Sequence, residues 1–544
     1  MDIKNRLSGV VLWGAGATTL LVTPFFSYDP INVPRFLSVF VFGLMGLFLL
    51  LGSKKELLGL KYRKVVIASV VFATWSVIAL FASKINLTEG IFGVTGRQTG
   101  FLAYFALIAL MLSAALSSSA NLQNKLVLLL VFVGLVSGMY GVLQTLGGDP
   151  FDWINPYSPV FGFFGNPNFQ ASFMGMAAVA AVALGLKSSE KLLVRIGFLA
   201  LVLLALFNIY KSKSQQGYLV FLAGVVVVGY LYVRGNSKLK KLSLIYVVAS
   251  AVGFVAVLLD ILQKSPWGSI LYKESVTSRG DFWRAGWQMT LDNPVFGVGL
   301  DGYRDHYRAS RDLVTALRPG SDATTDSAHN VFLDISSGGG FPLLIIYVFL
   351  VGLTLFSSVK VIRRSTGFDV GFAAVFGAWV AYLAQSVISI NQLGLAVWGW
   401  VLMGSIIGYE INTREKIEIR SVKSAYPTVA ISLGLIIGLG VGLLLMVADA
   451  TFRSTVKAGD VLKIEASVRQ WPQSVARMTL AAQILREGNL PERSIVIARE
   501  AVEFNPMNFE AWKELSLQPN ATESERVQAL ETMKKLDPFN PNLK

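Results

Sequence analysis

For most of its length the chain alternates long apolar blocks with short polar breaks, and the blocks are too long for strands. Stretches at 7–27, 33–52, 65–83, 98–119, 126–146, 168–186 and 192–210, then 215–233, 242–262, 330–358, 368–388, 392–410 and 427–447, each approach the roughly 20 residues a helix needs to cross about 30 Å of hydrocarbon. The pattern predicts an all-α polytopic membrane protein of about thirteen spans. The first block follows Lys4 and Arg6 as a signal peptide would, but no small-residue cleavage site precedes the next block, so it reads as an anchor. Beyond about residue 450 the pattern becomes that of a soluble helical domain: IAREAVEFNPMNFEAWKELS and VQALETMKKLDPFNPN both run an Ala-rich helix into an Asn-Pro or Asp-Pro break and a new helix start.

The polar breaks carry the orientation signal, because short loops rich in Lys and Arg stay in the cytoplasm. Loops with Lys54, Lys55, Lys61, Arg63 and Lys64, with Lys187, Lys191 and Arg195, with Arg234, Lys238, Lys240 and Lys241, with Lys360, Arg363 and Arg364, and with Arg414, Lys416, Arg420 and Lys423 all fall on the side of the N-terminus. An odd number of spans then places the C-terminal domain outside. Composition agrees with a multi-pass membrane protein, at 53% hydrophobic and 15% charged residues. Much of the net charge of +14 is topological signal and contact with anionic lipid, which argues against nucleic acid as a partner. With no cysteine, disulfides and thiol chemistry are excluded.

The expected outer face is short except at 147–168, a Pro-, Gly- and aromatic-rich segment that lies at the interface or re-enters, and at about 263–328. The larger loop carries Arg279, Arg284, Arg304, Arg308, Arg311 and Arg318 together with His306, and the chain's second histidine, His329, closes it in DSAHNVFLDISSGGG. Outer cations run against the positive-inside trend, as do Arg97, Lys211 and Lys213 at helix ends in short outer loops. Taken one at a time they read as side chains snorkelling to lipid phosphates; together with Arg279 they suit an anion site for a lipid-linked diphosphate. A histidine usually satisfies a local hydrogen bond, but His329 follows Asp326 and Ser327 as caps and is expected in a first helical turn, whose dipole favours the neutral base. Asp281, Asp301, Asp305, Asp322 and Asp326 lack metal-ligand spacing with either histidine and read as solvated loop carboxylates, so no metal is expected. Gly297, Gly299 and Gly302 follow no strand and read as turn glycines.

Four stretches carry a family resemblance. SRGDFWRAGWQMTLDNPVFGVGLDGY at 278–303 and AHNVFLDISSGGGFPLL at 328–344 resemble the signature region of the O-antigen ligase and polymerase superfamily. GFFGNPNFQASF at 162–173 resembles its Gly-x-x-Gly-Asn-Pro-Asn segment, and GVTGRQTGFLAYFAL at 93–107 its Gly-x-x-x-Arg-x-x-Gly helix start; the likeness covers about 90–410. It implies a membrane bundle of the GT-C type over 1–447 with a catalytic outer loop at about 263–329, needing no cofactor. The implied reaction moves a glycan from undecaprenyl diphosphate to a lipid, protein or glycan acceptor. By this resemblance His329 activates the acceptor, and Arg279 holds the diphosphate with Arg97, Lys211, Lys213 and Arg284, while His306, Asp326, Asn330, Asn166 and Asn168 are candidates for sugar or acceptor contacts. Many relatives have Ser-Arg-Gly where this chain has Ser214, Gln215, Gln216 and Gly217, so an expected arginine is absent there and Lys211 or Lys213 is the candidate substitute. Residues 448–544 resemble an incomplete tetratricopeptide array, a platform for partner, acceptor or self-association, or a stabilising cap. A ligase, a repeat-unit polymerase and a protein O-oligosaccharyltransferase all fit; a lipid-linked glycan flippase fits less well, since the spans read as nearly free of charge apart from Asp260 and Asp334.

Overall fold

The computed structural model describes residues 3–151, 153, 160–187, 191–266, 274–318, 320–414 and 425–543. Among them all regular structure is helical, and eleven helices are long and apolar enough to cross a membrane. Two more, Ile3–Leu20 and Phe101–Ser117, stand at the first and fourth expected blocks. The chain is a multi-pass membrane protein. The segment expected to lie at the interface or re-enter falls partly outside the described residues, as do 267–273 of the long loop.

Close packing explains which helices are central. Leu393–Arg414 is buried from Leu393 to Ile411, and its Gly404 and Gly408 meet the backbone of Phe101–Ser117 so tightly that a Cβ would lie 2.0 Å from the Met111 carbonyl oxygen and 1.9 Å from that of Ala115. In lipid, where apolar side chains gain little by association, such small residues let helices approach and gather dispersion contacts. Gly434, Gly438 and Gly442 do the same for Tyr426–Ala458 against Asn32–Gly52.

The helix Val331–Arg364 positions the site, and it is not the uninterrupted span the apolar pattern suggests. It breaks at Gly340, whose φ of 71° is left-handed, two residues before Pro342. Pro342 has no N–H to offer Gly338, four residues back, and Gly299 N–H supplies that bond instead at 3.1 Å. Val298 N–H donates to Ser337 O at 2.7 Å, and Phe341 N–H donates to Pro294 O at 2.8 Å. Gly297 and Gly299 are therefore more than turn residues: they press the 293–299 loop onto the break, and a Cβ on Gly297 would lie 2.4 Å from Ser337 O.

Tyr426–Ala458 runs out of the membrane core into a second core that begins at Phe452 and continues through Val461–Arg469, Val475–Glu487, Pro491–Phe504, Phe509–Ser516 and Glu523–Leu536. These helices dock against Tyr303–Ser310 and Arg311 through a charge cluster. Arg311 donates to both carboxylate oxygens of Asp537, at 2.9 and 2.7 Å, and Arg308 donates to Asp537 at 3.1 Å and to Glu510 at 2.7 Å.

Candidate active site

The site grows from one turn. Asp301, itself left-handed at φ 64°, accepts the N–H groups of Val94 and Thr99 at 3.2 and 2.9 Å and the Thr99 hydroxyl, which folds GVTGRQTG around its carboxylate. The fold turns Arg97 inward, where it is buried at 3.7 Å from Asp301, 3.6 Å from Asp326 and 3.8 Å from Asp334. Burial pushes the guanidinium down, but the three carboxylates outweigh it and hold it well above the ordinary arginine value. Asp326 is buried enough to be pushed up, yet Arg97, Arg304 and His329 bring it below the usual carboxylate range.

His329 sits one residue before Asn330, the residue that caps the helix by accepting from Phe332 and Leu333 N–H at 3.0 and 3.3 Å. It is therefore not in the first turn, and Asp326 and Ser327 are not the helix cap; Ser327 Oγ instead accepts the His329 N–H at 3.2 Å. Its φ of 51° is uncommon for a side chain with a Cβ, a conformation costing about 1–3 kcal/mol that persists only where surrounding contacts impose it. The ring lies 5.4 Å from that of Phe282. Burial lowers its pKa to about 4, Asp326 opposes the shift, and Arg279 and Arg97 reinforce it, so the imidazole is neutral at pH 7. The cause is chiefly desolvation rather than a helix dipole.

A cavity of about 290 Å³ brings together Arg97, Asn166, Asp326 and His329, with Gln392 and Phe164 on its far wall. Asn166 caps Pro167–Gly185 after the left-handed Gly165, so its motif is a helix start. Asn168 lies behind this wall and accepts the Ser214 hydroxyl at 2.7 Å. Arg279 donates to Gln216 Oε1 at 3.3 Å, and Gln216 in turn donates to Ser172 at 2.8 Å. The stretch that lacks the expected arginine thus holds an amide that positions one from Glu274–Asp292. Burial lowers the Arg279 pKa.

Other expected residues lie elsewhere. Lys211 rests 5.7 Å over the Phe207 ring and Lys213 is exposed, and neither lines the cavity. Arg284 is 59% exposed between Asp281 and Asp312. His306 Nδ1 lies 3.0 Å from Gly302 O and faces a separate cavity of about 450 Å³ with Lys84, Phe296 and Met507. Asn330 is occupied by its capping bonds. Arg308 and Arg311 belong to the docking cluster. The aspartates are mostly not solvated loop residues: Asp301 is buried under Arg97, and Asp305 accepts from Asn505 and Asn508 at 2.8 Å each. Asp301, Asp334 and Arg304 are site residues that sequence reasoning missed. Arg35, which does not line the cavity, was also unread: fully buried in Asn32–Gly52, it donates to Thr19 O and Phe163 O at 2.9 and 2.8 Å, so the spans are less free of charge than they read. An arginine inside an apolar block was the visible signal.

Residues 199–348 match the family model described as O-antigen ligase. The chain carries an O-antigen ligase domain. That match begins in Leu192–Lys211 and takes in Gln216, Arg279 and the break at Gly340, together with Asp326 and His329 of the cavity wall. Arg97 and Asn166 lie before it. Ligase- or polymerase-type glycosyl transfer is the activity this domain supports. No curated protein matches the chain.

Proposed function

We propose that this chain is an O-antigen ligase-like, metal-independent, inverting glycosyltransferase that moves a glycan from undecaprenyl diphosphate to an acceptor on the outer face of the cytoplasmic membrane. In this reading the bundle is of the GT-C type, the N-terminus is cytoplasmic, and residues 448–544 form an incomplete tetratricopeptide array outside. The observation that carries it is the neutral imidazole of His329, which shares one cavity with Arg97 and interacts with Arg279, an arginine held by an amide instead of a carboxylate.

His329 accepts the proton of the acceptor hydroxyl as its oxygen attacks the anomeric carbon. The bond from that carbon to the diphosphate oxygen breaks on the opposite side, which inverts the centre, and the diphosphate leaves with the bonding electrons. Arg279 stabilises the growing charge; a preorganised donor of this kind contributes about 3 kcal/mol. Arg97 is already balanced by carboxylates and instead fixes the geometry of the 94–99 turn and of Asp326. An imidazole near pKa 4 is by itself a weak base. A bound diphosphate adds negative charge beside it and raises it toward its ordinary value, so basicity develops when the donor is present. Outside the cytoplasm no ATP is at hand, which fits a donor already activated by its carrier. The C-terminal domain, docked on the catalytic loop through Arg308 and Arg311, favours transfer to a distinct acceptor over repeat-unit polymerisation.

The test is transfer by the full chain in vesicles with a defined undecaprenyl diphosphate glycan. Transfer that persists in EDTA, gives an inverted product and is lost in His329→Ala is expected; a retained anomeric configuration would defeat the mechanism.

A further inference from the structure

Opposite the His329 face, the ends of three helices enclose a second charged cavity, of about 180 Å³. Val331–Arg364 starts beside His329 and reaches this cavity with Lys360 in its closing turns, which places the two sites on opposite faces. Lys64 comes from the first turn of Arg63–Ala82, Lys61 from the turn before it, and Arg414 from the end of Leu393–Arg414. Basic residues at span ends ordinarily splay into the headgroup layer. Here they converge on a recess, and Lys360 Nζ lies 4.3 Å over the Phe356 ring that forms part of its wall. Leu353 and Ile407 continue that wall toward the membrane interior.

A carboxylate in the same recess makes the second observation. Glu410 is 5% exposed, and its buried Oε1, 3.6 Å from Arg364, accepts no hydrogen bond among the described residues. Among the described residues the recess therefore offers the ammonium groups of Lys64 and Lys360 and one acceptor oxygen in need of a donor. A bare phosphate would suit the lysines and be repelled by Glu410. A phosphodiester that also carries hydroxyl groups suits both.

We propose that this cavity binds the headgroup of an anionic phospholipid of the phosphatidylglycerol kind. The phosphate lies between Lys64 and Lys360, a glycerol hydroxyl donates to Glu410 Oε1, and the acyl chains leave over Phe356 and Leu353. The site is independent of the glycosyl-transfer reading.

Binding of short-chain phosphatidylglycerol, phosphatidic acid and phosphatidylcholine to the purified full chain in detergent tests it, with inorganic phosphate as competitor. Phosphatidylglycerol is expected to bind most tightly, and the double variant Lys64→Gln/Lys360→Gln to weaken it about tenfold or more, as loss of charge-assisted phosphate contacts implies. Lys238→Gln/Lys241→Gln, in a basic loop away from the recess, is expected to change nothing. Glu410→Gln is expected to keep phosphate affinity while losing the preference for phosphatidylglycerol over phosphatidic acid, and it keeps the hydroxyl assignment open to refutation should the double variant fail to fold. The proposal is overturned if wild type does not prefer phosphatidylglycerol, if the two double variants behave alike, if Glu410→Gln leaves that preference intact, or if inorganic phosphate competes as strongly as lipid, which would make this a soluble-anion site.

Discussion

Arg304 and Arg308 stand one turn apart on the short helix Tyr303–Ser310 and serve opposite ends of the same loop. Arg304 pairs with the cavity's Asp326 at 3.7 Å, with about a third of its side chain exposed. Arg308 faces the C-terminal domain, 3.1 Å from Asp537 and 4.1 Å over the Phe509 ring, and with Arg311 it is sealed from solvent. Among the described residues the ion pairs around Arg97 and Asp326 are long, at 3.6–3.8 Å, and those of Arg308 and Arg311 at the docking surface are short, at 2.7–3.1 Å. Long pairs beside a cavity can trade a carboxylate for a ligand's charge at small cost; short pairs in a dry interface hold structure, because separating them leaves a buried charge alone.

The largest effect that separates the two regions is expected at the base. His329→Ala should lower transfer by about 10²–10⁴-fold, the range for losing a positioned general base. The protein should fold and the C-terminal domain stay docked, since His329 touches none of the docking residues; a transfer assay beside limited proteolysis reads both. Comparable activity in the variant would remove the imidazole from the mechanism.

At the docking cluster the order of effects reverses, with structure lost before chemistry. Arg311→Ala leaves Asp537 buried with one partner fewer and should weaken docking by about 3–5 kcal/mol, seen as protease sensitivity near residue 460. Arg311→Leu/Asp537→Leu should be milder than the single change, because no charge is stranded. If the single variant leaves proteolysis unchanged, the cluster does not hold the domain.

The two regions should also answer acid in opposite directions. The His329 pKa is depressed from 6.5 to about 4 in the folded protein, so the unfolded chain takes up a proton first and stability falls as pH drops from about 6.5 to 4. At the docking surface burial raises Glu89 to about 7, with Asp305 adding to the shift against the hydrogen bonds from Val475 and Asn505. Its folded-state pKa is the higher one, so docking is strongest below about pH 4.5, weakens as pH rises to about 7 and levels off above it. Thermal unfolding at a series of pH values should show His329→Gln removing part of the acid loss, and Glu89→Gln strengthening docking at pH 8 but not at pH 5. A Glu89→Gln effect that is the same at both pH values would rule out the buried carboxylate as its source.

Much of this arrangement is legible along the chain, and the illegible part has a common cause. Apolar blocks locate the helices because spanning hydrocarbon imposes length and composition on each segment separately. His329 stands out because histidine occurs only twice and this one closes the outer loop. What local pattern cannot give is pairing at a distance: Thr99 and Asp301 are 202 residues apart and meet through one carboxylate, and Arg311 finds Asp537 across 226. The arginines of the long loop therefore looked alike until their partners were known. The break at Gly340 is different, since SSGGGFP carried its signal openly and only the apolar run around it suggested one continuous span.

The smallest expected effect is the sharpest check on assigning roles by partner rather than by residue type. Arg279 and Arg284 share the helix Glu274–Asp292, and both were candidates for the diphosphate. Arg284 is exposed between two carboxylates, so Arg284→Gln should alter stability by less than about 1 kcal/mol and the donor KM by less than about twofold. Arg279 is held by the neutral Gln216 and interacts with His329, so Arg279→Gln should raise the donor KM about 10- to 100-fold, the equivalent of about 1.5–3 kcal/mol for a hydrogen bond to a charged group. Arg279→Lys keeps the charge but loses the fork, and should fall between the two. If Arg284→Gln costs as much as Arg279→Gln, the donor reaches beyond the cavity onto the loop's outer surface, and a carboxylate partner no longer marks an arginine as structural.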